Sequence, residues 1–247
     1  MVSRFRLLFT AIALVALGGC EQKVEDGRAP TARAFPRADR PVSQLGANGF
    51  NSENERDSVR EAQTVMDLAN IAPGMTIADI GAGEGYYTVR LAQRVGRDGR
   101  VLAQDIDPDA LRTLGLRIER ERLDNVSIKL GAEDDPRLPD KSFDRVMLVH
   151  MYHEVSEPYA FLSRLRPSLR PGGRVIVVDV DRSPDKHGIP PDLLFCEFSA
   201  VGFRLTQFVR KPQMQGYYAQ FEAPGPAPAA EAIRPCRLAG SAPAAAS

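Results

Sequence analysis

The chain has 247 residues, with 32 Lys plus Arg against 32 Asp plus Glu, 43% hydrophobic and 26% charged residues, close to the average of globular proteins. That length suits one domain with appendages. A formal net charge of zero supplies no whole-protein field to hold a polyanion, so nucleic acid is not an expected partner.

At the start, Arg4 and Arg6 precede an apolar run from Leu7 to Leu17, then Gly18, Gly19 and Cys20, the order of a secretory signal. The run is too short to span a bilayer, which takes ~20 helical residues. Cys20 directly after Leu17-Gly18-Gly19 resembles the lipobox of bacterial lipoproteins. The resemblance implies a signal peptide over 1–19 and a diacylated Cys20 that anchors the protein to the membrane, facing the periplasm; two acyl chains hold where one does not. Residues 20–50, without a period of 2 or 3.6, read as a flexible linker, 51–223 as the folded domain, and 224–247 as a disordered low-complexity tail. Besides Cys20 there are Cys196 and Cys236, for which a bridge is one reading and a buried Cys196 with a free Cys236 the other.

Within 51–223 the apolar period alternates between helix and strand. Val59, Ala62, Val65, Met66 and Ala69 keep helical spacing; Pro73-Gly74 ends it, and 76–80 reads as a buried strand. A helix over 85–95, a strand at 101–103 and a helix carrying Leu111, Leu114 and Ile118 follow. Val126, Ile128 and Leu130 mark a third strand and 146–149 a fourth. Phe161, Leu162, Leu165 and Leu169 predict a helix stopped by Pro171-Gly172-Gly173, before a fifth strand at 175–178. The segments 203–205 and 216–221, with no helix between them, predict a closing antiparallel pair. Such alternation predicts an α/β fold with a mostly parallel sheet covered on both faces and ligand space at the carboxyl ends of its strands.

The segment Asp79-Ile80-Gly81-Ala82-Gly83-Glu84-Gly85 leaves a buried strand and enters a helix, where glycine permits positive φ and close approach of a ligand to unpaired N–H groups. A dinucleotide fingerprint would need a third Gly at position 86, which is Tyr86. Asp79 would repel a pyrophosphate and suit a cationic group. The next strand ends in Gln104-Asp105-Ile106-Asp107, which brings a carboxylate able to accept both hydroxyls of a ribose.

These motifs, with Leu138-Pro139-Asp140-Lys141-Ser142-Phe143-Asp144 and Leu169-Arg170-Pro171-Gly172-Gly173-Arg174, resemble the class I methyltransferases that use S-adenosylmethionine, over about 51–223. The resemblance implies a Rossmann-like, doubly wound, mostly parallel seven-stranded sheet with a C-terminal antiparallel strand. It implies S-adenosylmethionine as cofactor, with Gly81, Gly83 and Gly85 along its amino-acid part and Asp79 toward the ammonium. Asp105 would hold the ribose, Ile106 cover the adenine, and Asp134, or alternatively Asp135, receive the adenine amino group. The Glu133-Asp134-Asp135-Pro136 stretch is two residues longer before Leu138-Pro139 than the family pattern.

Methyl transfer from a sulfonium needs alignment and, for weak acceptors, removal of a proton. The fourth strand ends in His150-Met151-Tyr152-His153-Glu154, which holds two of the three histidines in the chain. His153 is the expected general base, with Glu154 as its orienting partner or as the base itself, and His150 and Tyr152 are expected to line the pocket. The order of His150, His153 and Glu154 matches no His-Glu-x-x-His type pattern, so no metal is assigned. The third histidine stands in the turn-rich His187-Gly188-Ile189-Pro190-Pro191, a candidate lid. The implied activity is methyl transfer to a small molecule or a protein; a non-catalytic lipoprotein that binds an adenosine compound, or serves as a scaffold, is the competing class.

Overall fold

The computed structural model describes residues 26–44, 52–211 and 216–237. Residues 1–19, expected as a signal peptide, and Cys20, expected as the lipid anchor, lie outside the described residues, among which no helix is long and apolar enough to cross a membrane.

Seven strands form one sheet: β1 (Thr76–Ile80), β2 (Arg100–Asp105), β3 (Val126–Leu130), β4 (Phe143–Val149), β5 (Leu169–Asp179), β6 (Arg204–Lys211) and β7 (Gly216–Glu222), in the order β3-β2-β1-β4-β5-β7-β6. Strands β1 to β5 pair in parallel, and β7 runs antiparallel to both β5 and β6. The helices are α1 (Glu53–Ser58), α2 (Glu61–Leu68), α3 (Tyr86–Val95), α4 (Pro108–Glu121), α5 (Pro158–Leu165) and α6 (Pro191–Ala200). This is the mostly parallel α/β sheet that the alternating pattern predicts, in the Rossmann-like, doubly wound, seven-stranded form with one antiparallel strand that the resemblance implies.

Residues of the central strands point alternately to two cores, as the two-residue period of a strand requires. Ile77, Met147, Ile176 and Val178 pack with Val65 and Met66 of α2 and with Tyr87, Leu91 and Val95 of α3. Ala78, Val146, Leu148, Val175 and Val177 pack on the other face with Phe161, Leu162, Leu165, Leu193, Leu194 and Phe198. Both faces are thus covered, which is why β1, β4 and β5 read as nearly continuous apolar runs.

Three elements depart from the sequence expectation. The first helix breaks at Arg60, which takes a left-handed conformation, and Val59 before it is exposed. In β3 the apolar alternation is real but faces outward, with Ile128 and Leu130 both exposed, because this strand is the sheet edge. Leu169 belongs to β5 rather than to the preceding helix: the helix ends at Leu165, and Gly172 with φ +80° lies within the strand that Pro171-Gly172-Gly173 was expected to precede.

The flanking segments differ more. Residues 26–44, expected as linker, run along the domain. Arg28 donates to both oxygens of Glu157 at 2.7 Å, and Arg40 pairs with Glu197 at 2.7 Å with both side chains 0% exposed. A buried charge is tolerated only when paired, and neither partner is visible from composition. Within 224–247, expected as a disordered tail, Ile233 and Cys236 are buried, Cys196 and Cys236 form a disulfide, and the Cys236 N–H donates to the Tyr159 hydroxyl. Asp39 and Arg237 pair as well, so the two flanks meet on the surface of the domain.

Candidate functional site

Gly81, Gly83 and Gly85 all have positive φ, at +68°, +52° and +92°. They differ in what a side chain would meet. A Cβ on Gly85 would fall 2.5 Å from Leu114 Cδ1, so this glycine lets α4 approach the loop and serves packing rather than a ligand. One on Gly81 would meet the Met151 side chain at 2.9 Å, whereas Gly83 has nothing within 4 Å. The open space of the loop therefore lies at Gly83, immediately before the N-terminus of α3.

The loop is held from the end of β2. Gly83 N–H donates to Asp105 Oδ2 at 2.8 Å, Asp107 N–H donates to Asp105 Oδ1 at 3.0 Å, and Ala82 N–H donates to the Gln104 carbonyl. Asp105 is only half-buried and a carboxylate offers about four acceptor sites, so lone pairs remain after these two bonds. Ile106 beside it is likewise half-buried. Asp79, at 3% exposure, accepts from Thr88 Oγ1 at 2.6 Å, and burial pushes its pKa up to about 6 against the opposing Thr88 bond. A carboxyl so placed is satisfied by a cation.

The adenine end departs from expectation. Asp134 accepts from Thr31 Oγ1 at 2.6 Å and pairs with Arg164, which also donates to the Thr31 carbonyl. Burial opposes its charge, yet these partners outweigh it and hold the pKa below the ordinary carboxylate value. Asp134 thus ties the N-terminal segment to α5, a role invisible while residues 20–50 were read as linker.

The five-residue cluster after β4 splits into three environments. His150 has φ +54°, its N–H donates to the Val178 carbonyl, and its Nε2 lies 3.5 Å from Glu61 Oε1 of α2. Burial works against the Glu61 charge, but His150 and Arg56 outweigh it and lower its pKa to about 2. Tyr152 does not line a pocket: it is 0% exposed and donates to Glu197 Oε2 at 2.8 Å, and burial with the nearby Glu197 pushes its phenol well above the ordinary pKa. His153, 2% exposed, places Nδ1 at 2.9 and 3.0 Å from the two oxygens of Asp179, the last residue of β5. The orienting carboxylate is therefore Asp179; Glu154 stands on the opposite side, 3.9 Å from Nε2. Sequence reasoning missed Asp179, whose one signal was a lone acid ending an apolar strand next to the fourth in the expected sheet. His187, from the turn expected as a lid, brings its ring centroid to 5.8 Å from that of His153.

Residues 77–173 match the family model described as a methyltransferase domain. An arsenite methyltransferase from Halobacterium salinarum is 31% identical over 130 residues, covering 51% of this chain and 33% of that protein. The ubiquinone/menaquinone biosynthesis C-methyltransferase UbiE of Burkholderia cenocepacia is 32% identical over 152 residues, covering 62% of this chain and 61% of that protein. The chain thus spans between a third and three fifths of the length of these relatives. The crystal structure of an S-adenosylmethionine-dependent methyltransferase from Aquifex aeolicus shares the fold, with a TM-score of 0.61 at 24% identity, over 68% of this chain and 90% of that one. The open cradle at Gly83, the acceptor carboxylate of Asp105 and the buried Asp79 fit the ribose and the cationic amino-acid end of that cofactor; Asp134 is already engaged at the other end. Residues 77–173 match a methyltransferase-domain model and lie in a fold shared with an S-adenosylmethionine-dependent enzyme, and S-adenosylmethionine is the cofactor that these matches indicate.

Proposed function

We propose that this protein is an enzyme that transfers the methyl group of S-adenosylmethionine to a small-molecule or protein acceptor at the carboxyl ends of β4 and β5. The observation that carries this reading is the glycine loop open at Gly83 and fastened to Asp105, beside a buried Asp79. When bound, the cofactor supplies an electrophilic methyl on a sulfonium. The chain's own residues orient it through the loop amides and Asp105, and handle the acceptor's proton at His153, where the Nδ1 contact with Asp179 directs the Nε2 lone pair away from the carboxylate. The relatives are named for arsenite and for ubiquinone and menaquinone biosynthesis, acceptors of different chemistry, so the acceptor is assigned by class only.

Asp105→Ala should weaken S-adenosylmethionine binding by about 1.5 to 3 kcal/mol, the range for hydrogen bonds to charged groups. Calorimetric titration of the wild type and the variant checks this; affinity absent at millimolar cofactor, or unaltered by the substitution, would sink the reading. The same titration has a pH readout. With the Asp79 pKa raised to about 6, a cationic ligand selects the ionised form, so affinity should fall by up to about tenfold per unit as pH drops below that value. The contribution of Asp79 to the stability of the ligand-free fold has the opposite sign: it is fully present below the ordinary carboxyl value of 3.8 and is lost as pH rises through about 6.

The proposal extends to location: Cys20 carries lipid and holds the domain at a membrane facing the periplasm. Mass spectrometry of the purified N-terminus should find an acylated Cys20, and an intact Met1 would refute the anchor.

A further inference from the structure

We propose that His153, Glu154 and His187 bind a divalent transition-metal ion of the zinc class. One ligand atom from each of the three side chains lies within 4.8 Å of the others, at the carboxyl ends of β4 and β5. Ligand atoms around tetrahedral zinc at ~2.0–2.2 Å stand about 3.3–3.6 Å apart, so side-chain rotations of about an ångström close the site.

Three independent features support a metal rather than a chance cluster. His153 Nε2 and His187 Nδ1 are buried with no hydrogen-bond partner among the described residues, an arrangement that costs free energy unless something supplies an acid to the lone pair. The other nitrogen of His153 contacts the Asp179 carboxylate at 2.9 and 3.0 Å, and Asp179 is itself fixed by accepting from the Val180 N–H at 2.7 Å. A carboxylate behind a ligating histidine is the arrangement that sets the tautomer and raises basicity at metal centres. Finally, the turn bearing His187 is fitted closely to the sheet: a Cβ on Gly188 would fall 2.5 Å from the Val180 carbonyl oxygen, and Ile189 N–H donates to that same carbonyl.

Two imidazoles and one carboxylate favour zinc or a neighbouring first-row ion over calcium or magnesium, and three protein ligands leave a position open. Cys196 and Cys236 are bonded to each other and supply no thiolate. In the role of binding a hydroxyl- or thiol-bearing acceptor and favouring its deprotonated form, the ion rests on the methyltransferase reading, with the acceptor's proton passing to solvent. Its binding does not rest on that reading. With the ion bound, Nε2 is a ligand and the ion-bound acceptor loses its proton to solvent; with the site empty, Nε2 is the base, so His153→Ala removes either route.

The experiment is competition for Zn²⁺ against a chromogenic chelator on the full chain, with Co²⁺ as a spectroscopic probe. One Zn²⁺ per chain is expected, with a Co²⁺ spectrum of low coordination number, and His187→Gln should weaken binding at least 100-fold. Glu154→Gln, which keeps the size of the side chain, should weaken it too, and both variants should keep the wild-type circular dichroism. Asp179→Asn should cost 10- to 100-fold in metal affinity, the range for outer-shell partners. Absence of a stoichiometric ion, or one that survives both His187→Gln and Glu154→Gln, overturns the proposal. S-adenosylmethionine titration of the same samples separates the two readings, since loss of the metal should leave cofactor affinity within a few fold, and metal binding without cofactor binding would leave this site standing and the methyltransferase reading refuted.

Discussion

His153→Ala lowers turnover by about 10² to 10⁴ fold, the usual range for loss of a general acid or base, while the dissociation constant for S-adenosylmethionine stays within a few fold. Cofactor affinity is spared because the residues that fit the cofactor are on the β1 and β2 side of the sheet, whereas His153 is positioned by Asp179 at the end of β5. The loss falls on chemistry because the imidazole is 2% exposed and oriented by a carboxylate, with Nε2 as its remaining donor or acceptor atom. Release of S-adenosylhomocysteine with a competent acceptor gives turnover, and calorimetry gives binding. Full turnover in His153→Ala together with its loss in Glu154→Gln would move the proton-handling role to Glu154. Full turnover in both would mean that alignment alone suffices.

Cys236→Ser destabilises the fold by about 4 kcal/mol, the loop-entropy value for a closure of this size. The disulfide joins α6 to the C-terminal segment across a sequence separation of 40 residues. Without it, the segment keeps the burial of Ile233, the Tyr159 contact, the bonds that Arg166 donates to the Pro224 and Gly225 carbonyls, and the exposed Asp39–Arg237 pair. A surface pair of that kind is worth about 0–1 kcal/mol. Denaturant melts of wild type and variant should therefore differ without reductant and converge with it. Equal midpoints under oxidising conditions would show that the bridge contributes nothing. The cost has a route to the site: Glu197, next to Cys196, pairs with Arg40 and accepts from Tyr152, and Arg40 donates to the His153 carbonyl. Loosening α6 thus loosens the backbone that presents His153.

Local sequence alone determined the strand and helix alternation, the mostly parallel α/β class, the antiparallel closure by 216–221, and the placement of Asp79, the glycine loop and Asp105 at adjacent strand ends. These follow from periods and turn residues within a few positions of one another, and each piece agrees with the others about the fold. What was decided only in three dimensions involves partners far apart in the chain. Asp179 reaches His153 across 26 positions, Thr31 reaches Asp134 across 103, and Arg40 reaches Glu197 across 157. None of these pairs leaves a local pattern, because ion pairs and hydrogen bonds depend on side chains meeting, not on spacing. The same reason accounts for Gly85, whose neighbour Leu114 is on another helix, and for Tyr152, which adjoins His153 in sequence yet turns into the core. The flanks were misread for a related cause: a stretch poor in apolar period looks like tether until buried arginines and a disulfide fasten it. His187 belongs with them, since only the turn after β5 brings it to His153 and Glu154.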